Sequence, residues 1–591
     1  MAHLPAEGNP DEQPSGMARR QFLGGAARLA AAGAVAGWVP VFRATPASAQ
    51  TTCATPPNFP AGIALFQQAF ENWSGEVAVD QVWTCTPATP ADVVAVVNWA
   101  NANGYRARPR GMMHNWSPLT LAPGAACPPK IILIDTTEHL TAVSINTTST
   151  PKRVTAQTGV TMDALLTALE GSGLGFTATP APGDLTLGGA LAIDGHGTAI
   201  PATGETPVPG TTYGSLSNQI LSLTAVVWDS AANQYVLRTF QRTDPGCAAL
   251  LTHLGRAFIT EVTLQVGTNQ RLRCQSWFDI PATEMFAPQG SSGRTFASYV
   301  ESAGRVEAIW FPFTPNPWLK VWSVKPSKPL FSRTVTSPYN YPFSDNLSPE
   351  LSDLMSQIIG GNVGLTPSFG QLQYNIVAAG LVLTLSYDLW GWSKNLLLYV
   401  KPTTLRVTAN GYAVLTNRAN IQRAISEFTN YYQARVAAYQ AQGQYPMNGP
   451  VELRVTGLDQ TADVGVSGAQ SPQLSAVRPR PDHPEWDVAI WFDILTIPGT
   501  PYAEQFYREI EQWMFSNYSG SYATIRPEWS KGWGYTNTAT WADGTILGTT
   551  IPNAYRAGQP VGNNWDTARA TLNQYDPHRV FSSPLLDALL P

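Results

Sequence analysis

The stretch PGDLTLGGALAIDGHG, residues 182–197, holds five glycines and only two charged side chains. Glycine lets a ligand approach the backbone closely, and successive backbone N–H groups form a nest for anions without lysine or arginine. The stretch therefore predicts a loop that holds a phosphate or pyrophosphate group.

A second loop of similar character, RPRGMMHNW at residues 108–116, places Gly111 three residues before His114. Neither loop has the G-x-G-x-x-G pattern of nicotinamide dinucleotide sites. The nearest match, EGSGLGF at 170–176, has Phe176 in place of the third glycine and ends a helix rather than opening one. A nicotinamide-binding Rossmann domain is therefore disfavoured.

Helices and strands alternate around these loops. A strand begins near Val82 and leads to a helix with Thr89 as its N-cap and Gly104 beyond its end. Thr161 caps a second helix, whose apolar face consists of Met162, Leu165, Leu166 and Leu169. Three strands follow, LTAVVWD, QYVLRTF and AFITEVTLQV. Residues 50–270 are thus predicted to form one α+β domain.

Beyond residue 270 the sequence becomes aromatic and rich in proline. Strands are predicted in RVEAIWFPFTPNPWLKVW, PVELRV and WDVAIWFDIL, and helices at 418–441 and 502–515. We predict a second α+β domain over 271–545 that contains a large antiparallel sheet.

The composition and the N-terminus limit the possible functions. Charged residues are 13% of 591 and the net charge is −5, so no basic surface for nucleic acid is expected. Arg19 and Arg20 precede an Ala/Gly-rich run and then ATPASAQ, which predicts a twin-arginine export signal over residues 1–49. No other run is long enough to span a membrane. We expect a secreted protein, extracellular or on the cell surface.

The five cysteines, at positions 53, 85, 127, 247 and 274, lack the CxxC spacing of zinc and thioredoxin sites. We therefore expect no metal site. One disulfide is possible, with Cys53 and Cys85 as the favoured pair.

Both glycine loops, the strand and helix between them, and LGRAFITEVTLQV together resemble the FAD-binding domain of the vanillyl-alcohol oxidase family (VAO/PCMH type) over residues 80–270. In covalent members of that family a histidine just after the Arg-Gly turn is bonded to the flavin 8α carbon, and His114 matches it. Met113 stands where the family's R-G-x-G-H-S pattern has its second glycine. The resemblance implies these FAD-binding residues: Arg110, Gly111, Met112, Met113, His114 (covalent), Asn115, Pro182, Gly183, Asp184, Leu187, Gly188, Gly189, Gly195, His196, Gly197 and Ile259.

The second domain offers charged residues for catalysis. The strand period of two puts Glu452 and Arg454 on one face of GPVELRVTG, and IRPEWSKGWG carries Glu528 and Lys531. The resemblance implies a Glu-x-Arg on a cap strand and a Trp-x-Lys that both face the flavin. YDPHRVF, in the segment 546–591, resembles the family's return to the FAD domain. Alcohol oxidation needs cations near the developing alkoxide and the reduced flavin, and a carboxylate that takes the hydroxyl proton. That carboxylate is left open among Glu452, Glu528 and Glu307, and Glu307 also fits a paired structural charge.

The substrate class follows from apolar segments such as AIWFPFTPNPWLKVW and IVAAGLVLTLSYDLWGW, which predict a long apolar pocket. Within the family the chain most resembles the covalent-FAD bacterial cholesterol oxidases. This implies oxidation of a sterol 3β-hydroxyl with O2 to give H2O2, followed by a Δ5 to Δ4 isomerisation, with Glu307 or Glu452 as its base. Loops around 376–400 are expected to contact a lipid surface transiently. The alternatives are an alditol or aldonolactone oxidase on the same scaffold, and a lipid carrier without redox activity.

Overall fold

A computed structural model describes residues 53–591 except 125–126, 346–347 and 403. The export signal predicted for residues 1–49 lies outside the described residues. The first sheet contains β1 (Ala64–Glu71), β2 (Ala78–Thr86), β3 (Arg106–Arg110) and β4 (Ile131–Asp135), in the order β1-β2-β4-β3. Helix α1 (Pro90–Asn103) connects β2 to β3, with the predicted Thr89 cap and Gly104 in the left-handed conformation.

The next strands in chain order are β5 (Val143–Asn146), β6 (Arg153–Gln157), β7 (Leu174–Gly175), β8 (Ile220–Asp229), β9 (Gln234–Gln241), β10 (Phe258–Gln265) and β11 (Gly267–Thr268). Five of them form a second, antiparallel sheet with the order β5-β6-β10-β8-β9. The short strands β7 and β11 pair with each other. Helix α2 (Met162–Gly171) buries its predicted apolar face, and α3 (Leu187–Ala192) lies inside the glycine-rich stretch.

The third sheet has nine strands: β12 (Arg271–Trp277), β13 (Arg305–Trp310), β14 (Trp318–Val324), β15 (Arg333–Thr334), β16 (Asp388–Trp392), β17 (Thr408–Thr416), β18 (Val451–Gly457), β19 (Val488–Thr496) and β20 (Thr524–Pro527). Their order is β15-β16-β12-β14-β13-β18-β19-β17-β20, and every pair except β15–β16 is antiparallel. The predicted α+β class with a large antiparallel sheet is confirmed.

The remaining helices lie beside or after this sheet: α4 (Ala282–Met285), α5 (Phe296–Ala303), α6 (Pro342–Asp345), α7 (Pro349–Ile359), α8 (Thr366–Leu383), α9 (Ser393–Leu397), α10 (Ile421–Gln440), α11 (Ala503–Asn517), α12 (Ile551–Arg556), α13 (Trp565–Tyr575) and α14 (Pro584–Leu589). The expectation of loops around 376–400 is wrong, because this segment contains the end of α8, then β16 and α9. Within the described residues, none of the helices has the length and hydropathy that crossing a bilayer requires.

The last part of the chain packs against the N-terminal sheets. Asp576 accepts hydrogen bonds from Arg256 and Tyr235, each at 2.6 Å, and the N–H of Ala107 in β3 donates to Val580 O at 2.9 Å. Phe581 is buried in the core cluster that also contains Val93 and Phe258. Residues 576–581 therefore complete the core beneath the first sheet.

The predicted Cys53–Cys85 pair is wrong, because the disulfide joins Cys53 to Cys127. The N–H of Cys127 bonds Gln81 O at 3.1 Å, so Cys53 and Cys127 meet beside β2. Cys85 lies on the same strand but is fully buried against α1. Its side chain points into the core, out of reach of Cys53.

Candidate active site

A cavity of about 320 Å³ lies where the 108–116 and 182–197 loops meet one face of the nine-stranded sheet. The predicted site residues that line it are Arg110, Gly111, Met112, Met113, His114, Asn115, Pro182, Gly188, Gly189, Gly195, His196, Ile259, Glu452, Arg454, Glu528 and Lys531. The predicted site residues outside this lining are Gly183, Asp184, Leu187, Gly197 and Glu307. Three regions far apart in sequence thus converge on one space.

The 182–197 loop packs too closely against its neighbours to carry side chains at two glycines. A Cβ on Gly188 would lie 2.8 Å from Thr158 Cβ, and one on Gly195 would lie 2.7 Å from Ala190 O. The loop therefore borders the cavity with bare backbone, which suits a phosphate-bearing cofactor. Arg110 Nε lies in the first glycine loop and Asp184 Oδ1 in the second. Both atoms are buried without a hydrogen-bond partner among the described residues. The residues present therefore fit FAD.

Hydrogen bonds tie the 108–116 loop to the segment after β20. Ser530 O accepts from the N–H groups of Trp116 and Ser117, at 2.8 and 3.1 Å. The Nζ of Lys531 lies 3.8 Å from the centroid of the Trp116 ring, a cation–π contact. His114 and Lys531 therefore occupy neighbouring parts of the same wall.

The His114 side chain is held between aromatic rings. Its ring stacks on Trp73, with centroids 4.0 Å apart and planes 21° apart, and its centroid lies 6.3 Å from that of Trp116. Burial, followed by the positive charges of Lys531 and Arg406, lowers the pKa of His114 to about 3. The imidazole is therefore neutral, and thus nucleophilic, at physiological pH.

Met113 has φ +56°, in the left-handed region that favours glycine, at the position where the VAO-type pattern has glycine. Its side chain packs against a small cluster that includes Leu121 and Leu133. The backbone strain and the side-chain packing therefore oppose each other at this residue.

This conflict predicts an unusual order of stability. Met113→Ala and Met113→Gly both lose the packing, but only glycine relieves the left-handed strain, which costs an L-residue roughly 1 kcal/mol. We expect Met113→Gly to melt at a higher temperature than Met113→Ala, measured by thermal unfolding of both variants. The usual order, with alanine more stable, would contradict the assigned backbone conformation.

A charged cluster covers the face of the sheet toward the cavity. Arg454 contacts three carboxylates: it bonds Asp493 directly, lies 3.4 Å from Glu452 Oε2, and lies 3.9 Å from Glu307 Oε1. Gly411 on β17 is essential to this arrangement, because a Cβ there would lie 2.7 Å from both Asp493 Oδ1 and Lys531 Cγ. The missing side chain lets the cluster extend from β18 to Lys531.

The carboxylates of this cluster differ in electrostatic environment. Burial raises the pKa of Glu452, and the Arg454 charge only partly opposes this. Burial also opposes ionisation of Glu528, but Lys531 and then His196 hold the pKa of Glu528 at about 2. The His196 ring stacks on Trp491 at 3.6 Å, with its Nε2 3.7 Å from Glu528 Oε1. Glu528 is therefore a fixed anion, and Glu452 is suited to exchange a proton.

Glu307 lies behind Arg454 rather than on the cavity surface. It pairs with Lys320 at 3.1 Å and accepts hydrogen bonds from the Tyr399 hydroxyl. Sequence reasoning missed Lys320, Tyr399, Asp493, Trp73 and Trp116. For Lys320 and Asp493 a signal existed, since each is a single charge in an apolar strand, within WLKVW and WFDIL.

Comparisons with known proteins agree with this geometry. A family described as "Cholesterol oxidase, substrate-binding" matches residues 271–591, and a family described as "FAD binding domain" matches residues 83–231. No curated protein gave a match.

Several solved structures are similar over most of the chain. A solvent-stable cholesterol oxidase is 65% identical with a TM-score of 0.90, and the alignment covers 91% of this chain and 100% of that one. A cholesterol oxidase from B. sterolicum is 52% identical with a TM-score of 0.90 and the same coverage. A histidine-to-alanine mutant of the Brevibacterium sterolicum enzyme is 51% identical with a TM-score of 0.89, again with that coverage. The resemblance drawn from the sequence is confirmed: the chain belongs to the cholesterol oxidase family that combines an FAD-binding domain with a substrate-binding domain.

Proposed function

We propose that this protein is an FAD-dependent oxidase that acts on the 3β-hydroxyl of cholesterol-like sterols. The sterol carbinol loses a hydride and a proton to become a ketone, O2 takes up the two electrons and two protons to give H2O2, and the Δ5 double bond then moves to Δ4. The observation that carries this proposal is the cavity in which the glycine loops face Glu452, Arg454 and Lys531.

Three charged residues of the cavity, Glu452, Arg454 and Lys531, have a task in this reaction. FAD, when bound, accepts the hydride and delivers the electrons to O2. Glu452 takes the hydroxyl proton, and Arg454 stabilises the negative charge that develops on the substrate oxygen. Lys531, beside the His114 loop, supplies the cation for the flavin end of the cavity. The hydroxyl proton leaves Glu452 for the reduction of O2 to H2O2, and Glu452, ionised again, carries the proton from C4 to C6 in the isomerisation, while Glu307 stays paired with Lys320.

We propose further that FAD is attached covalently to His114. The neutral imidazole and its position on the cavity wall support this. The cavity-lining residues of the two glycine loops and Ile259 would surround the cofactor. We also propose that the folded protein is exported by the twin-arginine route. We propose that its domains span 50–270 and 271–545, and that the segment 546–591 returns to the first domain.

Two measurements on the purified protein test the proposed function. A yellow protein that converts cholesterol in detergent to the 4-en-3-one, with release of H2O2, is expected. Faster turnover of xylitol or gulonolactone than of cholesterol would replace the sterol assignment with the alditol or aldonolactone alternative. A colourless protein that binds sterol without oxidising it would instead indicate a carrier.

A lipid surface is the proposed source of the sterol, and one exposed patch fits it. Leu330 and Phe331 are each 85% exposed, and Leu385, two residues beyond α8, is 61% exposed. Arg333 donates to Thr384 O at 2.6 Å, and this hydrogen bond joins the segment that carries Leu330 and Phe331 to the one that carries Leu385. Segment 325–334 carries Lys325, Lys328 and Arg333 but no acid, and segment 376–387 carries no charge. Apolar tips among cations suit an anionic lipid surface.

This patch gives a prediction. The double variant L330D/F331D is expected to oxidise cholesterol in phosphatidylglycerol-containing vesicles at least about tenfold more slowly, because it loses apolar insertion and adds repulsion. Its rate on cholesterol in detergent should equal that of the wild type. Val561→Asp, at a residue 100% exposed elsewhere, serves as the matched control. Equal losses of oxidation rate in vesicles and in detergent would show that the patch has no role in taking up sterol from a lipid surface.

A further inference from the structure

Lys320 is a buried cation enclosed by aromatic rings. Its side chain is 1% exposed, and its Nζ lies 3.2 Å from the ring centroid of Tyr399, 4.9 Å from Trp322, 5.0 Å from Tyr341 and 5.1 Å from Trp318. Burying an ammonium group is costly unless an anion and π-faces compensate it. None of the proposed catalytic steps uses Lys320.

The anion that compensates Lys320 is Glu307. Its Oε2 lies 3.1 Å from Lys320 Nζ, and the Tyr399 hydroxyl donates to both carboxylate oxygens at 2.9 Å. Burial raises the pKa of Tyr399 well above its usual value, so the hydroxyl keeps its proton and remains a donor. Glu307 is therefore held by two donors, Lys320 and Tyr399.

Strand register connects this pair to the cavity. Lys320 on β14 is the direct cross-strand partner of Glu307 on β13, and Glu307 is the direct partner of Arg454 on β18. Side chains of direct partners lie on the same face of a sheet, so positive, negative and positive charges follow one another across three strands. The charge of Lys320 thus acts on the cavity through Glu307 and Arg454, and the Lys320 side chain does not line the cavity itself.

The charge balance of the cluster shows what Lys320 changes. Three cations, Lys320, Arg454 and Lys531, face four carboxylates, Glu307, Glu452, Asp493 and Glu528. Without Lys320 the cluster has one more uncompensated negative charge, and burial already raises the pKa of Glu452 within it. Each charge in such a group alters the ionisation of its neighbours.

We propose that Lys320 is a positioning residue that holds Glu307 as a fixed anion behind Arg454, and thereby sets the pH range in which Glu452 exchanges protons. This inference rests on the proposed oxidase function. It assigns proton exchange to Glu452 and gives Glu307 no direct contact with the substrate.

A charge series in the holoenzyme tests the proposal. Turnover requires ionised Glu452, so activity rises with pH through the pKa of Glu452. Lys320→Met should move this acidic limb to higher pH, and Glu307→Gln should move it to lower pH, each by roughly one unit. The pair-neutral variant K320M/E307Q should return the limb to its wild-type position. This double variant leaves no unpaired buried charge, so it tests the proposal even where a single variant folds poorly.

A second measurement is independent of turnover. Infrared titration follows the carbonyl band of the protonated carboxyl group, and Glu452→Gln identifies the Glu452 band by removing it. Across the variants, the midpoint pH of this band should follow the same order as the acidic limbs of the activity profiles. A wild type that oxidises no sterol would refute the proposed function, whereas the infrared series would still test Lys320.

Arg273→Met is the matched control, because Arg273 pairs with Asp388 at 2.6 Å in the same sheet and lies outside the cavity lining. It should lower stability without moving the acidic limb or the infrared band. Unshifted profiles in Lys320→Met, or a K320M/E307Q profile that matches K320M alone, would overturn the proposal.

Discussion

Arg454→Met is expected to lower kcat for sterol oxidation by about 10²- to 10³-fold, the effect of removing one preorganised group that stabilises developing negative charge. Arg454 is the central cation of the cluster, since it contacts Asp493, Glu452 and Glu307 at once. Methionine keeps an unbranched apolar stem and removes the charged guanidinium group. Steady-state turnover of cholesterol in detergent measures the effect, and kcat should fall more than KM rises.

Loss of fold must be separated from loss of catalysis in this variant. Asp493 is fully buried, and without Arg454 it loses its direct partner, which costs about 3–5 kcal/mol of stability. The double variant R454M/D493N removes this unpaired charge and should fold better while remaining as inactive. Arg454→Lys keeps the charge but loses the guanidinium fork, so an intermediate rate is expected. Wild-type kcat in R454M/D493N would exclude Arg454 from the reaction.

His114→Ala is expected to convert tightly retained flavin into flavin that acid extracts completely. The wild-type protein precipitated with trichloroacetic acid should give a yellow pellet, and the variant should give a white pellet and a yellow supernatant. His114 lines the cavity and its ring stacks on Trp73, so the substitution removes this contact without removing a side chain of the apolar core, and most of the fold should survive. The visible spectrum of each fraction measures the outcome.

His253→Ala is the matched control for this experiment. His253 also lines the cavity, and burial lowers its pKa to about 3, as it does for His114. Its position before β10 is not the one implied by the Arg-Gly turn, so its variant should keep a yellow pellet. A yellow pellet from His114→Ala, or a white one from His253→Ala, would place the linkage elsewhere.

Local sequence patterns were sufficient for much of the fold. Thr89 and Thr161 mark helix starts through side-chain capping, and Glu452 and Arg454 share a face because strands alternate. These features depend on residues a few positions apart. Helix α8 was misread, because its apolar run carries no charge or cap that distinguishes a helix from an apolar loop.

The part of the site that the sequence patterns did not predict depends on how strands far apart in sequence pair with one another. Asp493 faces Glu452 and Lys320 faces Glu307 only because β18, β19, β13 and β14 pair as they do. No local pattern encodes these pairings. The disulfide partner of Cys53 was missed for the same reason, since Cys127 lies 74 residues from Cys53 in the sequence and meets it only because its loop returns to β2.

The contacts of Asp576, Val580 and Phe581 with the N-terminal sheets have a consequence for biosynthesis. β3 and α1 emerge from the ribosome almost 500 residues before these partners, as the numbering of Ala107 and Val580 shows. In the nascent chain, part of the core beneath the N-terminal sheets therefore stays exposed until translation is nearly finished. A chain truncated before Asp576 could not complete the core beneath its first sheet.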